Sequence, residues 1–155
     1  MIGAIILALA ASTAPVEQAQ CDPGSIAYAL KQIDIADYKS SATSPPPLVV
    51  AELYSMAAQG VERCAASTHH YMGSRIGDLL QAATYAKFAA LAYFDAEQPS
   101  QGCSMLAKAG RDSTSAATLS TSADAEDRRR LQAGGPNSAS IRQLLATKCQ
   151  SEPPR

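Results

Sequence analysis

A chain of 155 residues has room for one domain with a core of useful size. Apolar residues make up 46% of it and charged residues 17%, against the usual quarter or so, which excludes a disordered chain. A formal net charge of -1, with no Trp, two Phe and one short basic run, excludes a nucleic-acid partner, because neither a basic face nor stacking aromatics are available.

The chain opens MIGAIILALAASTAPVEQAQC, with an uncharged apolar run from Ile2 to Ala11. That is about half the ~20 residues a membrane-crossing helix needs. With the small residues behind it, the run reads as a signal peptide over residues 1–19, cleaved between positions 10 and 19; Ala8-Leu9-Ala10 is an A-x-A match. No Lys or Arg precedes the run, so an ordinary apolar first helix is the competing reading. Gln18-Ala19-Gln20 is not the triplet that precedes a lipidated cysteine, and no membrane anchor is expected after cleavage. The expected product is a bacterial protein, secreted or periplasmic, with one helical domain over 20–155.

Alanine is abundant, while β-branched and aromatic residues are sparse, which favours helices over sheets. The fold expected is all-α: an antiparallel bundle of about five helices, or six, with small side chains at the seams. The first helix starts at Asp22-Pro23, a cap residue followed by proline, with a stripe of Ile26, Leu30 and Ile33 beside Ala29 and Ala36. Pro45-Pro46-Pro47 opens the second, which places Val50, Leu53, Ala57, Val61 and Cys64 on one face. Ser74 caps a third with Ile76, Leu80, Ala83, Ala90, Leu91 and Phe94, and a second apolar edge of Tyr85, Phe88 and Ala92 marks it as central. A fourth begins near Gly102 and carries Cys103, Leu106 and Gly110 before degrading into the Ser/Thr/Ala stretch 112–122. A polar helical segment over 122–133 ends at Gly134-Gly135-Pro136, so 112–137 is expected to be looser. The last helix starts at Asn137 or Ser138 with Ile141, Leu144, Leu145 and Cys149, and a frayed tail covers 150–155.

Four cysteines, Cys21, Cys64, Cys103 and Cys149, suit two disulfides in an exported chain, and no two lie at redox-motif or zinc-ribbon spacing. Short connections make neighbouring helices antiparallel. Helix one running up from Cys21 and helix two running down bring Cys64 to the same end. Helix three returns upward, which puts Cys103 at the other end. Whether Cys149 joins it depends on the course of 112–137: if helix four runs down and the final helix up, Cys149 arrives there too, and on that course Cys21–Cys64 and Cys103–Cys149 are the expected bridges.

The chemistry-bearing stretch is STHHYMGS, residues 67–74, with both histidines. His69, His70 and Tyr71 form the candidate interaction or ligand surface. A metal site there would draw on Cys64, Glu62 or Met72. However, adjacent helical residues point about 100° apart and spacing places no third ligand, so a polar turn is expected and no metal or cofactor. Asp34 and Asp37 share a helix face without a partner group, and Asp78 sits in a first turn, where negative charge is favourable anyway. Arg128-Arg129-Arg130 behind Asp124, Glu126 and Asp127 reads as a solvated face matched to the helix dipole. Neither G-x-S-x-G, S-x-x-K nor a Gly-rich phosphate loop is present.

The functional expectation is a non-catalytic binding role toward another exported protein, such as an inhibitor or immunity-type factor. Tyr28, Tyr38, Tyr54 and Tyr71 are candidate anchors, since tyrosine is favoured at interfaces. The rivals are a small-ligand or metal carrier using the His69-His70 turn, and an enzyme whose distant residues assemble a site that spacing hides.

Overall fold

The computed structural model describes residues 20–39 and 46–150, with side chains 35–39 left aside. The expected signal peptide and C-terminal tail lie outside these residues. Five helices follow in order: α1 Pro23–Lys39, α2 Pro47–Ala65, α3 Arg75–Asp95, α4 Pro99–Thr118 and α5 Ala125–Lys148, with a 3-10 turn at Ser120–Ser122 before the last. Sequence neighbours pack on each other, and α5 also lies along α3. The fold is an all-α bundle.

Alanine builds the seams. Ala83, Ala86, Ala89 and Ala90 of α3 cluster with Ala58 of α2 and Ala109 of α4, and Ala82, Ala51 and Ala57 are buried as well. Short side chains let backbones approach closely, so the small residues occupy the centre of the contacts. Five larger members of the expected stripes, Val50, Leu53, Leu80, Leu91 and Phe94, are only half-buried, whereas Ile26, Val61 and Ile76 are buried. The main cluster adds Met105, Leu106 and Ile141; a second joins Ile26 of α1 to Val61, Cys64 and Ala82. Gly60 makes the α1 contact possible: a Cβ there would stand 2.7 Å from Ile26 Cγ1.

Both bridges form as the up-and-down course requires, Cys21–Cys64 and Cys103–Cys149, and no described cysteine is free. Two disulfides are the mark of an oxidising compartment. Among the described residues no helix is long and apolar enough to cross a membrane.

Two sequence expectations are corrected. Helix α4 starts at Pro99 and does not degrade at 112; it continues to Thr118 because Asp112 and Ala116 turn inward, while Thr114 and Thr118 hydroxyls bond back to the carbonyls of Gly110 and Ser115. Nor does Gly134-Gly135-Pro136 end a helix: α5 runs through it. A residue before proline normally avoids the α region because its Cβ meets the proline ring, and Gly135 has no Cβ. Tertiary contacts hold the same stretch on α3. Leu80 packs where a Gly134 Cβ would be, at 3.1 Å. Asn137 accepts from Lys87 Nζ at 2.9 Å and donates to Thr84 Oγ1 at 3.2 Å. Packing outweighs a local stop signal.

Candidate functional site

The turn 67–74 joins α2 to α3 directly beyond the Cys21–Cys64 bridge. Gly73 takes a positive φ of 79°, a backbone that suits glycine, and Ser74 caps α3 by accepting from the Gly77 N–H at 3.0 Å. Ser67 holds the other side, its hydroxyl accepting from the His69 N–H at 3.1 Å.

Asp78 organises the centre. It is fully buried in the first turn of α3, with one carboxylate oxygen accepting from the Met72 N–H at 2.7 Å and the other 3.0 Å from His70 Nδ1. A carboxylate oxygen accepts, so Nδ1–H donates to it and the ring is held in one orientation. A buried carboxyl group costs free energy unless it is hydrogen-bonded, and the turn itself supplies both bonds.

Arg130 of α5 closes the turn from outside. Its guanidinium donates to the Met72 carbonyl at 2.7 Å and to Ser74 Oγ at 3.2 Å, and pairs with Glu126 on its own helix. Ser74 Oγ in turn donates to Asp127, whose N–H is taken by the α5 cap residue Asp124 at 2.8 Å. Gly77 leaves the room this needs, since a Cβ there would collide with Arg130 Nη1. Among the described residues no buried side-chain nitrogen or oxygen lacks a partner.

The two histidines part company. His69 is exposed, whereas His70 is turned in against Asp78. Tyr71 is half-buried on the Ile26–Val61–Cys64–Ala82 cluster, so it is a wall of the core. Cys64 is committed to its bridge and Glu62 to Lys108 of α4. Among the described residues no three His, Cys, Asp or Glu side chains gather as a metal site. Of the remaining tyrosines, Tyr28 is exposed and Tyr54 packs on Tyr85 and Phe88, with ring centroids 6.2 Å and 5.3 Å away. The Tyr38 and Asp37 side chains lie outside the described residues, and Asp34 is exposed.

A histidine oriented by a buried aspartate has the form of a general-base pair. Catalysis would need a nucleophile or substrate proton at Nε2, and among the described residues no hydroxyl or thiol bonds there. Asp78 and Arg130 are the residues that sequence reading passed over. The Arg128–Arg130 run is no uniform solvated face, for Arg130 reaches across to another element. The available signal was Asp78 four residues after the proposed cap, a position able to bond back into the turn; nothing in the sequence connected Arg130 to Met72. No family model, no curated protein and no solved structure matches the chain.

Proposed function

We propose that this chain is a non-catalytic binding protein of an oxidising compartment that engages another exported protein through the turn at 67–74, in the manner of an inhibitor or immunity-type factor. The observation that carries this reading is the restraint on the turn: Asp78 and Arg130 grip the Met72 N–H and carbonyl from opposite sides, beside a disulfide. A connector between antiparallel helices needs only to close. A loop already held in one conformation loses less freedom on association, so more of its contact energy appears as affinity. Thr68, His69, Gly73 and Arg75 face outward from this frame.

For the enzyme reading there is a histidine–aspartate pair, with no side-chain hydroxyl or thiol bonded to the ring among the described residues, and for the carrier reading two histidines that diverge. The test is native mass spectrometry on the protein isolated from its exporting cells. An equimolar protein complex is expected, and joint His69→Glu and Arg75→Glu substitution weakens it at least about tenfold, with the helical signal unchanged. A complex indifferent to both substitutions, or bound metal lost when both histidines become alanine, overturns the reading.

A further inference from the structure

Helix α5 buries a single apolar side chain, Ile141, although it is 24 residues long. It is pinned at its start by the Arg130–Ser74–Asp127 contacts, in the middle by Asn137 and at its end by Cys149. Between the last two pins the facing α4 row is small. At Gly110 a Cβ would meet Leu145 and Ile141 at 3.7 Å and 3.9 Å, ordinary contact distances, so the missing side chain leaves a shallow hollow beside Ala107. The result is an open groove of ≈ 670 Å³. That is within the range of about 300–1,000 Å³ typical of small-molecule sites. Along α4 it runs from 107 to 117, about 15 Å at the helical rise per residue.

Its charge is one-sided. Arg111 from α4 and Arg142 from α5 line it, both are exposed, and neither is in an ion pair among the described residues. No carboxylate lines the groove, and the nearby Asp112 is turned inward to Lys108. The smaller cleft between α3 and α5 differs in this respect: its cation, Arg130, is already spent on Met72, Ser74 and Glu126.

We propose that the α4–α5 groove binds a single-chain carboxylate amphiphile, its hydrocarbon tail on Ile141, Leu145, Ala107 and Gly110 and its head between Arg111 and Arg142. Guanidinium groups match a carboxylate with paired, charge-assisted hydrogen bonds, and Ala107, Gly110, Ile141 and Leu145 give a hydrocarbon chain an apolar surface beside them. This site is independent of the turn at 67–74.

The test is calorimetric titration of the oxidised chain with dodecanoate, dodecanol and dodecyltrimethylammonium, beside flotation with phosphatidylglycerol vesicles. Dodecanoate is expected to bind saturably and more tightly than the neutral or cationic chain. Joint R111Q and R142Q substitution should weaken dodecanoate by about tenfold or more, because both charge-assisted contacts to the head are lost, and leave dodecanol unchanged. Substitution of Arg129, exposed elsewhere on α5, should change nothing. Amide shifts induced by dodecanoate should centre on Gly110 and Ile141, a readout that needs no variant. Dodecanoate binding no better than dodecanol, binding indifferent to the two arginines, shifts elsewhere, or attachment to vesicles without binding of free dodecanoate overturns the proposal.

Discussion

His69 and His70 are chemically identical neighbours with opposite duties. One is solvated; the other is a buried carboxylate's partner. His69→Ala should therefore change stability by no more than about 0.5 kcal/mol, the range of ordinary surface substitutions. His70→Ala leaves the buried Asp78 with one partner fewer, and Asp78→Ala orphans the Met72 N–H; each should cost about 1–3 kcal/mol in urea unfolding. Equal effects for the two histidines would refute the assignment of His70 as a structural clasp. Two aspartates set opposing pH dependences. The Asp127 N–H bonded to Asp124 holds that carboxyl below its ordinary value of 3.8, so its contribution is present above that pH and is lost as pH falls through the folded value. Burial raises Asp112, only partly offset by Lys108, so its contribution is complete in acid and declines as pH rises through the folded value. Asp124→Asn should flatten the acid limb of the stability profile, and Asp112→Asn should remove a decline on the other side, both measurable by urea midpoints across pH.

At the scale of elements, helix contacts depend on small residues more than on large ones. Gly60→Ala forces Ile26, itself fully buried, to move, and should cost about 1–3 kcal/mol in thermal or urea unfolding because a packed seam cannot give. A neutral outcome would mean that α1 rests on α2 more loosely than their contact indicates. The first three helix starts were legible because they are local: Pro23, Pro47 and Ser74 stand where the chain enters α1, α2 and α3, whereas the start of α5 behind its cap Asp124 was missed, the last helix being expected from Asn137 or Ser138. Stops were less legible. Gly134-Gly135-Pro136 carries a breaking signal whose outcome depends on Leu80, Thr84 and Lys87 of another helix. Likewise Asp78 could be assigned to a first turn from sequence, but its depth could not.

The whole molecule is stapled at both ends. Each disulfide closes a loop of similar size, with sequence separations of 43 and 46, and chain entropy values each at about 4 kcal/mol. Their loss should not be felt evenly. Helix α5 has little apolar burial to fall back on, so replacing Cys103 and Cys149 with alanine should expose the α5 amides from Asn137 onward to rapid hydrogen exchange while α2 and α3 stay protected. Uniform loss of protection across all helices would show instead that α5 is integral to one cooperative unit. Reduction of both bridges should lower the urea midpoint further than either pair of substitutions alone.

By itself the sequence determined the helical class, the starts of the first three helices and the placing of Cys21 and Cys64 at one end, because composition, caps and the alternation of short connections act over a few residues and propagate simply. The course of 112–137, on which Cys103–Cys149 depended, was settled by packing. What the turn STHHYMGS is for could not be determined from sequence either. Only the tertiary structure separated His69 from His70, carried Arg130 across to Met72 and opened a groove between α4 and α5. Each of these follows from side chains distant in sequence competing for the same space and the same hydrogen bonds, and that competition has no local signature.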